Sequence, residues 1–236
     1  MTFAFERKLL LNTHSVIMYL NVNQRVPVAR ETEADFVVPI LVDVIAPSTS
    51  REDGNRIQDV VNPPEEYVVG RMWAERWDLS LSEDCGYNPI EIADVSGVWM
   101  QVAETLMRAG KRFRPELGIE GFVLEILFLH EVLLHPAIED RVAVIDSMIR
   151  SLTGINSLVL MQYEQGESHH LEDSEYRDLG FCKIARSNLL IKDTSLRYPF
   201  NDQHPGGKKV EIFGTLQHEQ WLMDHWEKLL IDHPAL

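Results

Sequence analysis

The segment HEVLLHP, residues 130–136, contains the residue types of a zinc hydrolase. Such enzymes place two histidines four residues apart on one helix face, with a glutamate beside them as the base. His130 and His135 are five residues apart, which is a poor angle on a helix and puts the rings on opposite faces of a strand. The spacing therefore disfavours a metal site, and a zinc hydrolase is the weakest of three hypotheses for the function.

The residues around this segment predict a partly buried strand. Residues 122–135 are rich in aliphatic and aromatic side chains and are followed by Pro136. Glu125 and Glu131 are six residues apart, so by parity both carboxylates lie on one face of that strand. Each carboxylate either belongs to a chemical site or forms an ordinary salt bridge.

The composition is that of a globular protein with one large domain or two small ones. The chain has 236 residues, of which 45% are hydrophobic and 25% charged. It contains no apolar run of membrane-spanning length, and its first residues lack the features of a signal peptide. Cys85 and Cys182 make no disulfide framework, so a reduced, cytoplasmic setting without a membrane partner is expected.

The net charge of −15 argues against direct binding to nucleic acid, because a phosphate backbone would be repelled. The same charge favours a cationic ligand. The densest basic stretch is RAGKRFRP, residues 108–115, with four positive charges. This stretch either contacts a phosphate or an acidic partner, or is a solvated loop after a helix.

Hydrophobic periodicity predicts an order that begins with strands and then alternates helices and strands. Pro39 inside the second strand suggests an edge or a bulge. This order predicts the α/β class: a single domain, residues 1–236, with a central twisted mixed sheet and helices on both faces. The predicted strands are 14–23, 34–47, 67–83 (a long strand or hairpin arm), 122–135, 157–163 and 182–193, and the predicted helices are 94–110, 138–153, 175–181 and 215–231.

Three segments occur in the order found in one enzyme family. Residues 131–152, EVLLHPAIEDRVAVIDSMIRSL, give a strand, a proline and a helix; residues 157–163, SLVLMQY, give an apolar strand; residues 176–181, YRDLGF, give a Y-x-x-x-G-F element. From residue 122 onward the chain thus resembles the GNAT superfamily of acyl-CoA-dependent N-acyltransferases. The resemblance implies a GNAT-like domain whose acyl-CoA core spans 122–200. Strands and a helix (1–121) precede this core, and a loop and helix (201–236) follow it.

The resemblance also implies that acetyl-CoA, or a related acyl-CoA, is the cofactor. In the family, the pantetheine arm lies between two splayed strands and pairs with the free backbone of the fourth strand. A glycine-rich loop at the following helix start presents bare N–H groups to the pyrophosphate. The positions that correspond to this cofactor site are Val132, Leu133 and Leu134 on the strand, and Arg141, Val142, Ala143 and Val144 in the loop.

Two catalytic residues are implied in the same way. Glu131 corresponds to the family base, which accepts a proton from the acceptor amine directly or through water. Tyr176 corresponds to the tyrosine that can protonate the departing thiolate. Each has a structural alternative, since Glu131 could be a salt-bridged strand carboxylate and Tyr176 could be a helix residue packed on the sheet.

The phosphate loop departs from the family pattern Q/R-x-x-G-x-G/A. Residues 139–144 are E-D-R-V-A-V, so Val142 and Val144 occupy the two small positions. Branched side chains there crowd a pyrophosphate, and Glu139 and Asp140 face it with like charge, which Arg141 partly offsets.

Other side chains carry weaker signals. Cys182 is expected to be a buried structural thiol. His169 and His170 lie in a polar loop, where they are either exposed or in contact with an adventitious metal. Three tryptophans either line a substrate cleft or pack in the core: Trp73, Trp77 and Trp99.

Two functions follow from these observations. The first is a GNAT-like N-acyltransferase that moves an acetyl or related acyl group to an amine of a small molecule or protein, with a cationic acceptor favoured by the acidic balance. The second is a non-catalytic scaffold derived from that fold, which has lost acyl-CoA binding and acts through protein–protein or small-ligand contacts. The C-terminal helix, with Trp221 and Trp226, could pack on a second subunit to form a homodimer.

Overall fold

The structure is a computed structural model. It describes residues 2–10, 18–27, 29–47, 66–108, 112–119, 122–154, 156–163, 171–194 and 216–232. The strands in these ranges are β1 (Thr2–Leu10), β2 (Tyr19–Pro27), β3 (Val37–Pro47), β4 (Glu66–Asp78), β5 (Met107–Arg108), β6 (Arg112–Phe113), β7 (Glu125–Leu134), β8 (Ser157–Gln162), β9 (Cys182–Lys183) and β10 (Leu189–Asp193). The helices are α1 (Leu79–Asp84), α2 (Pro89–Ala93), α3 (Gly97–Leu106), α4 (Arg141–Leu152), α5 (Asp173–Asp178) and α6 (Leu216–Asp232).

Eight of these strands form one mixed sheet. Their order across the sheet is β1-β2-β3-β4-β7-β8-β10-β9. Neighbouring strands are antiparallel except β7 and β8, which are parallel. A parallel pair needs a crossover connection, and here α4 provides it. The predicted α/β class with a mixed sheet is confirmed.

Helices cover both faces of this sheet because the side chains of its central strands alternate between two apolar clusters. Leu127 and Leu129 of β7 pack in a cluster with residues of α4 and α5, on what we call the α4 face. Ile126 and Phe128 pack in a second cluster with residues of α2 and α3, on the α3 face. Further along the α3 face, α6 packs against Leu133.

A β-bulge interrupts β7 at His130. Leu129 pairs with Ala74 and Glu131 pairs with Trp73, which leaves His130 as the extra residue. Because cross-strand partners share a face, Glu131 lies with Trp73 on the α3 face. The bulge inverts the alternation, so the prediction that Glu125 and Glu131 share a face is wrong. It also brings His130 and His135 to the α3 face, where opposite faces were predicted.

Two segments predicted as single strands have a different structure, because one ends at a helix cap and the other contains a turn. The strand predicted for 67–83 ends at Asp78, because the Asp78 carboxylate accepts a hydrogen bond from the Leu81 N–H at 3.1 Å and starts α1. The strand predicted for 182–193 is a hairpin, β9 and β10, whose connecting turn contains Arg186 with φ of 63°.

The helix predicted for 94–110 begins later, at Gly97, because the Ser96 hydroxyl accepts from the Trp99 N–H at 3.2 Å. Gly110, the predicted end, lies outside the described residues. The C-terminal helix is confirmed at Leu216–Asp232, and Leu216 at its start is exposed. Strand β1 and helix α2 were not predicted.

Pro39 lies in an interior strand and not at a sheet edge or at the irregularity in β3. It pairs with Glu75 of β4 on one side. On the other side the ladder with β2 stops at the pair of Gln24 and Ile40, so it does not include Pro39. The missing N–H of Pro39 therefore removes no hydrogen bond from the ladder with β2. Within the described ranges, no helix combines the length and apolar character needed to cross a bilayer.

Candidate functional site

The candidate site is a histidine–carboxylate pair at the bulge. Nε2 of His130 lies 3.0 Å from Oε2 of Glu75 on the neighbouring strand β4. The indole N–H of Trp99, from α3, donates to the same oxygen at 2.8 Å. A carboxylate without its proton only accepts, so in that form of Glu75 the hydrogen between the two groups is on Nε2 of His130, and an imidazole of this tautomer has its lone pair on Nδ1.

Aromatic packing fixes the orientation of this ring. Trp73 stacks on His130 with centroids 3.7 Å apart, and Phe128 contacts its edge at 4.8 Å. The His130 side chain is 9% exposed and that of Glu75 is 21% exposed. Nδ1 makes no hydrogen bond with any residue that the structure describes. A ring held at one nitrogen by a carboxylate, with the other nitrogen available, is the arrangement of a general base.

The bulge is also the place where the ladder between β7 and β8 ends. Their parallel ladder runs from Glu125–Ser157 to Leu129–Met161 and stops there. Strand β7 continues for five more residues, from 130 to 134, whereas β8 ends at Gln162, which pairs with Leu189 of β10. The β7 edge that faces away from β4 is therefore outside the β8 ladder along 130–134. An extended ligand could pair with such an edge.

The strand positions predicted to bind a cofactor can do so only through their backbone. The side chain of Leu133 is buried against α6. Leu134 is buried on the α4 face, and Val132 packs partly buried against the same cluster.

The start of α4, the predicted phosphate loop, already holds a carboxylate. Oδ1 of Asp140 accepts from the Ala143 N–H at 3.1 Å, so it occupies one of the donors that a phosphate would use. Val144 is buried in the core and Val142 packs against it, while Arg141 is the first helical residue. This helix start does not fit a pyrophosphate in the way that a glycine loop does.

The two predicted catalytic residues lie on opposite faces of the sheet. Glu131 follows the bulge on the α3 face and is half-buried. Tyr176 of α5 is 4% exposed in the cluster of the α4 face, with its ring 5.9 Å from that of Tyr163. The two side chains therefore do not converge on one side of the sheet.

Glu125 has a structural role at the other end of β7. Its Oε1 accepts from the Ser157 hydroxyl at 2.6 Å and from the Gly154 N–H at 3.1 Å, and Arg76 lies 3.8 Å from its other oxygen. These contacts fasten the end of α4 to the starts of β7 and β8.

The remaining predictions concern a cysteine, three tryptophans and two histidines. The prediction of a buried Cys182 is wrong, because β9 is the edge strand and leaves this thiol exposed. Trp77 and Trp99 are fully buried in the core, whereas Trp73 covers His130. His169 and His170 lie outside the described residues. Across the described ranges, no three His, Cys, Asp or Glu side chains are grouped so that they could hold a metal ion.

Sequence spacing did not single out Glu75, although a signal was present in the strand. It alternates with two tryptophans in WAERW, residues 73–77, so parity places a carboxylate between two large aromatic side chains on one strand face. A carboxylate in apolar surroundings needs hydrogen-bond donors, and His130 and Trp99 supply them.

Comparison with known proteins adds no relative. No protein-family model, no curated protein and no solved structure matches this chain. The function must therefore be inferred from the geometry of the site itself.

Proposed function

We propose that this protein is an acyl-CoA-dependent N-acyltransferase of the GNAT type, with acetyl-CoA as the simplest donor. One observation carries the proposal: the parallel ladder of β7 and β8 ends beside His130, where an imidazole oriented by Glu75 lies next to an edge of β7 that β8 does not pair. The order of β7, α4, β8 and α5 along the chain supports the same family.

The parts of the site have distinct roles in this proposal. The β7 edge at residues 130–134 offers backbone groups to an extended pantetheine arm. The donor supplies an acyl carbon activated as a thioester. Nδ1 of His130 accepts the proton of the attacking amine, and Glu75 stabilises the resulting imidazolium. The new N–C bond replaces the C–S bond, and the proton that His130 accepted passes to the departing thiolate. Tyr176, which the resemblance implied for this step, lies buried on the other face of the sheet.

Glu131 remains the alternative base. It lies next to His130 in the chain and on the same face of the sheet, so both groups could serve one acceptor. His130 is preferred because its ring orientation is fixed by a carboxylate and by Trp73. A base held in one orientation loses less conformational entropy when it reacts.

A second candidate function is a scaffold without acyl-CoA binding. The Asp140 carboxylate at the start of α4, and the buried Val144 in place of a small residue, favour it. Both features weaken the usual attraction of a helix start for phosphate.

A thermal-shift titration separates the two candidates. A ligand that binds only the native state raises the melting temperature in a saturable way. We expect such a rise with acetyl-CoA, coenzyme A and desulfo-coenzyme A. Adenosine 3′,5′-bisphosphate, which lacks the pantetheine arm, should give a much smaller rise. The reason is that contacts of the pantetheine arm, and not those of the phosphate loop, supply most of the binding free energy. The absence of any rise at millimolar acetyl-CoA would favour the scaffold.

Transfer itself is then measured with acetyl-CoA and a panel of amines that includes spermidine and L-glutamate. Release of free coenzyme A thiol gives the rate, and the amine-free reaction is the control. A rate that depends on the amine supports the transferase, whereas hydrolysis alone contradicts it.

A further inference from the structure

A cleft whose lining does not include the His130–Glu75 pair lies at the C-terminal end of α3. Its volume is about 1060 Å³, which suits a small organic ligand. One wall comes from α3 and the segment that follows it, and the other from the turn between β9 and β10. The side chains of Met107, Leu117 and Ile184 give the cleft apolar surface.

The charged groups of this cleft oppose the charge of the whole chain. Three arginines are among the residues that line it, against two glutamates. The lining therefore has a formal charge of +1 in a chain of net charge −15. The groups are Arg108, Arg114 and Arg186, and Glu104 and Glu116.

The arginines differ in how far their charge is neutralised. Arg108 forms an ion pair with Glu116. Arg114 donates instead to backbone carbonyls at the end of α3, to Glu104 O at 2.6 Å and to Met107 O at 3.3 Å. The guanidinium of Arg186 has no hydrogen-bond or ion-pair partner in the part of the chain that the structure describes.

The backbone of Arg186 is in a conformation that arginine rarely adopts. Its φ is 63°, in the left-handed region that favours glycine. The Ser187 N–H donates to Ile184 O at 3.2 Å, and the Ser187 hydroxyl accepts from the Leu189 N–H at 3.0 Å, so the turn is held on both sides. Strained non-glycine residues of this kind cluster at ligand sites.

We propose that this cleft binds a small organic anion, with Arg186 as the main contact to its carboxylate or phosphate group and Arg114 as the second. A planar guanidinium matches either oxyanion with two parallel hydrogen bonds. The apolar wall takes the body of the ligand. The expectation of a cationic ligand came from net charge, but exposed charges act over about 10 Å, so the local arginines outweigh distant carboxylates.

The cleft and the His130 pair are joined by one helix. Trp99 of α3 donates to Glu75, and Ala103, one turn later, lines the cleft. If the proposed function holds, on which this step alone rests, the cleft holds the acidic group of the amine acceptor. The acceptor class is then an amine that also carries a carboxylate or phosphate, such as an amino acid.

The test uses two anions and no acyl-CoA. Thermal shift of the full chain is measured with inorganic phosphate and, separately, with L-glutamate, while sodium chloride keeps the ionic strength constant. The titration with phosphate and the titration with glutamate distinguish the two oxyanions. We expect a saturable rise in melting temperature with at least one of them.

Arg186→Gly removes the guanidinium and suits the left-handed backbone, so the variant should fold. We expect its affinity for the anion to fall about tenfold or more, as for a lost charge-assisted hydrogen bond. Arg186→Lys should retain part of the affinity. Arg177→Ala is the matched control, since it makes the same charge change in α5, which belongs to the α4 face. Its affinity should equal that of the wild type.

Two results would overturn the anion site: no saturable rise with either anion, or equal affinities for Arg186→Gly and Arg177→Ala. The acetyl-CoA titration is scored separately. If acetyl-CoA fails while the anion response depends on Arg186, the cleft site stands and the proposed transferase does not.

Discussion

Nζ of Lys192 lies 2.9 Å from Oδ1 of Asp146, so an ion pair joins β10 to α4 on the α4 face. Arg150 Nε contacts the other carboxylate oxygen at 2.6 Å. Burial raises the pKa of Asp146, but the hydrogen bond and charge of Lys192, together with Arg150, outweigh burial and leave the pKa below its usual value. These contacts hold the charged carboxylate of Asp146 between α4 and β10. Helix α4 is the helix that follows β7 along the chain.

The first prediction concerns stability. Asp146→Asn leaves Lys192 partly buried without its counter-ion, so we expect the free energy of unfolding in urea at pH 7 to fall by about 1–3 kcal/mol. Arg150→Ala is the control. The Arg150 side chain is 54% exposed, and its loss should cost less than about 1 kcal/mol.

The same pair predicts a pH dependence. The unfolded state binds more protons than the folded state between the lowered pKa of Asp146 and its ordinary value of 3.8. The contribution of Asp146 to stability is therefore present above pH 3.8 and is lost as the pH falls through the pKa of Asp146 in the folded state. The stability difference between wild type and Asp146→Asn should shrink below pH 4. A difference that stays constant from pH 7 to pH 3 would contradict this account.

The second prediction concerns the proposed base. His130→Gln keeps a donor near the Nε2 position but lacks a basic nitrogen, so we expect kcat for acetyl transfer to fall roughly 10²–10⁴-fold. Glu75→Gln should reduce kcat less, because the imidazole remains and only the charge that stabilises the imidazolium is lost. The acetyl-CoA thermal shift should persist in both variants. Loss of transfer in Glu131→Gln, with His130→Gln active, would assign the base to Glu131.

The third prediction concerns the start of α4. Asn caps a helix as well as Asp, so Asp140→Asn should fold normally while removing one negative charge from the predicted phosphate site. We expect acetyl-CoA to bind a few-fold more tightly at low salt, with a smaller gain at high salt. Asp84→Asn, at the exposed end of α1, is the control for net charge. Equal affinities in the two variants would show that phosphates do not approach α4.

The fourth prediction concerns the docking of α6. The His135 ring lies against those of His218 and Trp221, and its Nδ1 accepts from the Ala137 N–H at 3.1 Å. Burial lowers the pKa of His135, and the charges of His218 and His225 lower it further. The unfolded state then binds more protons between that lowered pKa and 6.5, so stability falls as pH drops through 6.5.

The melting temperature should therefore decrease from pH 7.5 to pH 5.5. His135→Asn keeps an acceptor for the Ala137 N–H but cannot titrate, so the decrease should be smaller in this variant. Identical pH profiles for the two proteins would rule out His135 as a source of the effect.

Local patterns determined much of the fold. The apolar run of β7, the helix α4 that starts after Pro136, the strand β8 and the helix α6 all lie near their predicted positions. Each depends on periodicity and caps within a few residues, which a single chain displays directly. The same local reasoning found the basic stretch after α3 and the carboxylates at the start of α4.

Tertiary structure alone decided which of these residues meet. The bulge at His130 exists because β7 and β4 pair in a register that no single strand specifies, and it reversed the faces assigned by parity to Glu125 and Glu131. Glu75 reaches His130 from 55 positions away, and Arg186 joins the arginines after α3 only through packing of the β9–β10 turn. Sequence spacing reports neighbours along one element, whereas sheet register and helix docking depend on the whole core at once.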